Sequence, residues 1–359
     1  MTDDRPRRVV QWTTGNIARQ AVRGVLARPD LELVGVYAYS AAKVGRDVAE
    51  LCGLEAPVGV LATDDIDALL ALEPDCVVYT PLHADVDELV RLLGAGVNVV
   101  TTAELLTGRS LDADQRARIE SACVEGGATF FGTGMNPGWT ELLAGVAAGI
   151  GVGVRHVRVS ESVDVSLFAG DPNFDHFGWG RPAGDPDHAA DVEVAARTFG
   201  EGADVMARIL HVDEPELVCS VGFAHATTDL DLPGRPIAAG TVAGIDLRWE
   251  VLAGGVPVAE LHSRFVMTDQ LDTGWTVEHG YKVEVDGDPR VVLRLEIWPD
   301  LDDLGDLTVD EMHAIGMRIS ATPAVNAIPA VCMAPPGIRT YADLPLPSAH
   351  VGRAREVTS

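Results

Sequence analysis

Over the first 150 residues, short apolar runs rich in β-branched and aromatic residues alternate with stretches whose apolar positions recur at helical spacing. The runs are "RRVVQW", "LELVGVYAY", "VGVLA", "DCVVYT", "NVVTT" and "ATFFGT". Such alternation predicts six strand–helix units, a parallel sheet wrapped by helices in a doubly wound α/β domain. The punctuation agrees. Asn16 opens the first helix, which puts Ile17, Ala21, Val22 and Val25 on one face, and the "GAG" at 94–96 closes the helix before "NVVTT".

After about residue 150 the period changes. "RHVRVSESVDVSLF", "IAAGTVAGIDLRWEVLAGG", "VAELHSRFVMTD" and "WTVEHGYKVEVDGDPRVVLRLEIW" alternate apolar with polar positions, as strands with one covered face do, and "VEVAARTFGEGADVMARIL" reads as helix. The pattern predicts a Rossmann domain over 1–150 and an α+β domain with an open mixed or antiparallel sheet over 151–310. Residues 311–359 then form a C-terminal helix, roughly Val309 to Ala330, and a Pro-rich tail from Pro335 lying across the surface as an ordered loop.

Charge narrows the partners. Acidic residues outnumber basic ones 54 to 27, a formal charge of -27, so phosphate backbones and anionic lipid surfaces would repel the chain, and neither nucleic acid nor membrane is expected as a partner. "MTDDRPRR" leads straight into a strand without an apolar signal core, and no uncharged run approaches the ~20 residues needed to span a bilayer, which places the protein in the cytoplasm. The five cysteines are far apart and form no CxxC pair, so they read as reduced, buried small residues. The ten histidines show no metal-ligand spacing, and no G-x-S-x-G supports a serine nucleophile.

The first candidate chemistry lies in "VVQWTTGNIARQAV". A dinucleotide turn needs a strand end, small residues where backbone approaches pyrophosphate, and a helix whose first amides face the anion. Thr13, Thr14, Gly15, Asn16 and Ile17 supply that turn, and only Thr13 departs from G-x-G-x-x-[GA]. A carboxylate at the end of the second strand would bind a ribose 2'-hydroxyl. This strand instead ends "YAYSAAKVGRD", with Ser40, Lys43 and Arg46, which favours NADP over NAD, although solvated loop charges account for the two basic residues equally well.

In open parallel sheets chemistry sits beyond the carboxyl ends of the strands. There the chain places Thr80 and Pro81, then Thr102, Ala103 and Glu104, then Met135, Asn136 and Trp139 of "GTGMNPGWTE". Glu104 is followed by Leu105 and Leu106. In a partly apolar cleft its carboxyl is suited to general acid/base work, the alternative being a helix-capping carboxylate. Asn136 and the loop amides could hold a nicotinamide carboxamide, or the glycines and proline could serve the turn alone. "SLFAGDPNFDHFGWGRP" gathers Phe168, Phe174, His176, Phe177 and Trp179 in a chain only 5% aromatic, either folding over the cofactor as a lid that lines an apolar substrate pocket together with Met135 and Trp139 or forming a small satellite core.

"VVQWTTGNIARQAV", "LELVGVYAYSAAKVGRDVAELCGL", "DCVVYTP", "NVVTTAELL", "GTGMNPGW" and "VNAIPAVCMAPPGI" together resemble the actinobacterial dihydrodipicolinate-reductase-like proteins. Within that superfamily they look like the native amine dehydrogenase and 2,4-diaminopentanoate dehydrogenase group. The resemblance implies a homodimer built through the open sheet of the second domain, a C-terminal segment returning to the first, and Glu104 in the place of the family's essential acid/base. It implies reversible reductive amination of a small ketone or aldehyde with ammonia, run with NADPH or with NADH. Thr13 departs from the commoner glycine, and the His-His pair, lysine and Ser-Gly-Thr motif of true dihydrodipicolinate reductases are missing, which disfavours that reaction. An imine or carbonyl reductase acting without ammonia, and a non-catalytic NADP-binding sensor, are the two alternatives.

Overall fold

The computed structural model describes residues 5–170, 172–298 and 308–350. They form two compact units, Met1–Trp139 with Ala314–Ser359, and Thr140–His313.

In the first unit, strands β1 (Arg7–Trp12), β2 (Leu31–Tyr37), β3 (Ala62–Thr63), β4 (Cys76–Tyr79), β5 (Asn98–Thr101) and β6 (Thr129–Gly132) alternate with helices α1 (Asn16–Leu26), α2 (Val48–Cys52), α3 (Ile66–Leu70), α4 (Val86–Gly94) and α5 (Ala113–Gly126). The chain returns to this unit through α9 (Val309–Val331) and β15 (Gly337–Arg339), which pairs parallel to β6. The sheet is seven-stranded, in the order β15-β6-β5-β4-β1-β2-β3, with the switch in direction of winding between β1 and β4. Trp12, Tyr79, Phe130 and Phe131 are fully buried in its core, each contributing about 2–3 kcal/mol by leaving water. Asp47, Asp65, Asp85 and Asp112 cap α2, α3, α4 and α5 with their carboxylates, so part of the acidic excess satisfies helix-end amides. Helix α9 lies on α1, where Gly24 faces Val325 and Arg28 donates to the Asn326 side chain at 2.9 Å.

Two features differ from the sequence expectation. Of "VGVLA" only Ala62 enters the two-residue β3, because Gly59 takes φ 83° and the amides of Val58 and Gly59 turn onto the Asp47 carboxylate at 3.2 and 2.7 Å. The Pro-rich tail supplies a seventh strand within its loop, since the helix stops at Val331 and, past Pro335 and Pro336, Gly337 at φ 128° lets the chain swing beside β6.

The second unit begins with α6 (Thr140–Ala148) and the long β7 (Val152–Asp164), then α7 (His188–Ala195), α8 (Arg197–Ile209) and β8 (Glu216–His225). A short hairpin, β9 (Leu230–Leu232) with β10 (Arg235–Ile237), precedes β11 (Val242–Ala253), β12 (Val256–Val266), β13 (Gly280–Asp288) and β14 (Val291–Leu295). The six-stranded sheet runs β14-β13-β7-β12-β11-β8, antiparallel except for the parallel β7–β12 pair, and is therefore mixed. One face carries Val157, Val159, Leu261 and Val283 against α6 and α8, and Ile245, Leu247 and Phe265 against a second apolar cluster. By strand alternation the other face presents Arg158, Asp246, Glu260, His262, Arg264 and Lys282.

Candidate functional site

The turn after β1 runs from Thr13 to Gly15. Thr13 adopts φ 76°, the left-handed backbone that glycine supplies more easily, and is held by its amide on the Tyr37 carbonyl at 3.0 Å and its Oγ1 beside the Thr80 carbonyl and hydroxyl at 3.3 and 3.2 Å. Gly15 caps α1 with no side-chain bond to the helix amides. Its φ is -77° and a Cβ would meet nothing within 4 Å, so neither strain nor the protein's own packing asks for glycine there. Asn16 and Ile17 open α1 directly after it.

The basic residues past β2 separate. Lys43 donates from Nζ to the Thr14 hydroxyl at 2.8 Å and so stands at the turn. Arg46 is engaged by Glu50 one helical turn on at 2.6 Å, both side chains exposed, and Ser40 is exposed with its carbonyl closing a turn onto the Lys43 amide. Thr80, buried beside Pro81, joins the Gln11 amide at 2.9 Å and the Trp12 carbonyl at 2.9 Å, tying the end of β4 to the end of β1.

At the carboxyl ends of β4, β5 and β6 the loops interlock. The Thr102 amide reaches the Tyr79 carbonyl at 3.3 Å, the Thr133 amide reaches the Thr101 carbonyl at 2.9 Å, and the Ala103 amide turns onto the Thr101 hydroxyl at 2.9 Å. Gly132 is required, because a Cβ there would lie 1.6 Å from the Leu105 carbonyl that crosses over it. This crossing fixes the segment holding Glu104, whose neighbours Ala103, Leu105 and Leu106 are buried. Glu104 itself takes φ 36°, a strained conformation for a glutamate, and its side chain is 32% exposed, with Oε2 3.6 Å from His83 Nδ1. Met135 is buried, Asn136 and Trp139 are half-buried, and Gly138 at φ 132° fits over Thr133, whose hydroxyl meets that of Tyr341 at 2.8 Å.

The ring-rich segment belongs to the second unit. Phe168 lies against His313 with ring centroids 5.6 Å apart, and Phe177 against Phe265 at 6.0 Å. Both flank the apolar cluster that buries Trp179, while His176 is exposed. The side chain of Phe174 lies outside the described residues.

Sequence reasoning passed over two features. His83, in the loop after β4, faces Glu104. Trp12, Tyr37 and Tyr79, the last residues of β1, β2 and β4, gather with Tyr39 around the carboxylate of Glu88. The signal was three neighbouring strands each ending in a ring.

Residues 225–359 match the model of the 2,4-diaminopentanoate dehydrogenase C-terminal domain. The chain is 30% identical over 360 residues to an amine dehydrogenase of Streptomyces virginiae, covering 96% of this chain and 97% of the relative. It is also 30% identical over 109 residues, 29% of this chain and 40% of the relative, to a 4-hydroxy-tetrahydrodipicolinate reductase of Synechococcus elongatus. Among solved structures, the fold is similar to an amine dehydrogenase from Mycobacterium smegmatis, with a TM-score of 0.72 at 22% identity over 96% of this chain and 97% of that one. It is also similar to GenD2 from gentamicin A biosynthesis, solved in complex with NAD, with a TM-score of 0.52 at 16% identity over 94% and 90% of the two chains.

A doubly wound domain with this turn, joined to a mixed-sheet domain, defines an NAD(P)-dependent oxidoreductase of the dihydrodipicolinate-reductase-like superfamily. The chain belongs to its amine dehydrogenase and 2,4-diaminopentanoate dehydrogenase family, whose enzymes act on CH–NH2 donors.

Proposed function

We propose that this enzyme catalyses the reversible reductive amination of a small ketone or aldehyde with ammonia, Glu104 being its acid/base. The observation that carries the reading is the geometry of Glu104: a carboxylate just past β5, held in a left-handed backbone between buried neighbours, one-third exposed and beside an imidazole. The carboxylate would take a proton from ammonium, hold the resulting ammonia for attack on the carbonyl carbon, and return the proton to the departing hydroxyl as water leaves. Bound NAD(P)H supplies the hydride that completes the amine. Overall, carbonyl, ammonia, NAD(P)H and a proton give amine, water and NAD(P)+. The α1 amides and Lys43 would hold the cofactor at its pyrophosphate, and Thr80, Pro81, Thr102, Ala103 and Asn136 would hold its nicotinamide, orienting it for the transfer.

NADP ahead of NAD is part of the proposal. Its support is now Lys43 together with the lack of a carboxylate at the end of β2, since Arg46 is engaged by Glu50. Met135, Trp139, Phe168, His176 and Phe177 are proposed as substrate-contacting residues, and the polar face of the second sheet as the surface through which two copies associate.

The test is oxidation of NADPH and of NADH with short ketones and aldehydes, with and without ammonium. Glu104→Gln is expected to keep dinucleotide affinity and lose ammonia-dependent turnover by about 100- to 10,000-fold. Turnover within a few fold of wild type would remove Glu104 from the mechanism, and NAD(P)H oxidation indifferent to ammonium would replace amination with reduction of a carbonyl or imine.

A further inference from the structure

Glu88, on the first turn of α4, accepts three hydrogen bonds on a single oxygen. Trp12 Nε1 lies 3.1 Å, the Tyr39 hydroxyl 2.7 Å and the Tyr79 hydroxyl 2.8 Å from its Oε2. The Tyr79 hydroxyl is itself fixed by accepting from the Asp85 amide at 3.0 Å. A carboxylate offers about four acceptor positions over its two oxygens. Here the protein crowds three donors onto one of them, and Oε1 has no hydrogen-bonding partner among the described residues.

The rings around this carboxylate are unequal. Trp12 and Tyr37 stack at 4.1 Å and are buried, as is Tyr79, whereas Tyr39 stands edge-on to Tyr37 at 5.0 Å and is 55% exposed. Tyr39 is thus open over about half of its surface, and its hydroxyl is held by the Glu88 carboxylate. Its position matters: it lies two residues past β2, in the loop that flanks the adenosine half of a dinucleotide when the pyrophosphate sits at the turn after β1.

We propose that Tyr39 and Glu88 bind the adenine base of the nucleotide, the purine stacking on the Tyr39 ring and its exocyclic amino group donating to Glu88 Oε1. The inference rests on the nucleotide reading of the turn at Thr13–Ile17. A flat π-system answers the exposed ring, which a ribose does not, and the amino group at the edge of that same plane supplies the donor that the open oxygen lacks. The three side-chain donors act as positioning groups that aim the carboxylate.

The experiment is calorimetric titration of the purified enzyme with the tighter of NAD and NADP and with its hypoxanthine analogue, in which a carbonyl oxygen replaces the amino group and the adjacent ring N1 gains a hydrogen. Wild type is expected to bind the hypoxanthine form at least about tenfold more weakly, because an oxygen then faces the carboxylate unpaired. In Glu88→Gln, which keeps a carbonyl acceptor for the three side-chain donors and brings an amide that can donate to the hypoxanthine carbonyl, the ratio should fall to within about threefold. Tyr39→Leu should weaken both forms alike, by about fivefold or more. Equal affinities in wild type, or an undiminished ratio in Glu88→Gln, would overturn the assignment. So would a Glu88→Gln enzyme whose only change is its preference between NAD and NADP, which would assign the carboxylate to the ribose. Wild-type enzyme that binds neither dinucleotide would overturn the reading of the turn, and this inference with it.

Discussion

Thr13 shows how far one position can be read from sequence. Its departure from glycine is visible in "WTTGN", and the turn around it is recognisable, but that a β-branched residue holds φ 76° there is not. An L-residue in that region is strained by roughly 1–2 kcal/mol, and the Thr13 hydroxyl, beside Thr80, returns about 1 kcal/mol. Thr13→Gly removes both and is expected to leave the urea midpoint close to wild type. Thr13→Val, which keeps the strain and loses the hydroxyl, should cost about 1 kcal/mol or more; a valine variant as stable as the glycine variant would show the backbone at this turn to be unstrained. Arg46 and Glu88 were illegible for opposite reasons. The i,i+4 spacing of Arg46 and Glu50 was in plain view, yet position after β2 outweighed it. A glutamate in the first turn of a helix reads as a companion of the helix dipole, and only the tertiary convergence of three strand ends reveals Glu88 as the acceptor of three side chains.

At the level of elements, the doubly wound pattern was legible because the buried strands are mostly apolar and helices such as α1 and α4 are amphipathic. What failed were the elements whose existence depends on a partner: β3 shrinks because Asp47 captures two of its amides, and β15 exists only because β6 offers an edge. In the second sheet alternation told which residues share a face but not that β7 and β12 run parallel, which no local period encodes. On that sheet's polar face Asp246 is buried among His262, Arg264 and Arg248, with contacts from 2.5 to 2.9 Å. Burial alone would raise its carboxyl, but the hydrogen bonds and charges of His262, Arg264 and Arg248 outweigh it and hold the group well below the usual carboxylate range. The unfolded chain therefore takes up this proton first as pH falls, so the stabilisation is fully present above about pH 4 and is lost below it. Asp246→Asn should cost about 2–4 kcal/mol at pH 5. The gap from wild type, read from urea midpoints, should narrow by about 1 kcal/mol at pH 3; a gap that stays constant or widens on acidification would mean that Asp246 is not held as an ion by these three partners.

For the molecule as a whole, the decisive number is the formal charge of -27, legible in full from composition. The fold accounts for a few of those carboxylates as helix caps and engages others in ion pairs that are mostly exposed, such as Arg46–Glu50, Arg116–Glu120 and Arg155–Asp286. Two effects of salt then oppose one another. Screening weakens each exposed pair, but such a pair is worth only about 0–1 kcal/mol to begin with. Screening also relieves the repulsion among the unmatched acids, which acts over about 30 Å at 0.01 M ionic strength and is cut to about 8 Å at 0.15 M, so it reaches many charges at once. With 54 acidic against 27 basic residues the second effect has the larger reservoir, and folding should be favoured by added salt. Raising sodium chloride from about 0.01 to 0.3 M is expected to lift the thermal midpoint by roughly 2–5 °C. A midpoint that falls over that range would show that the ion pairs, although exposed, outweigh the net repulsion, and that the acidic excess is already compensated within the folded chain.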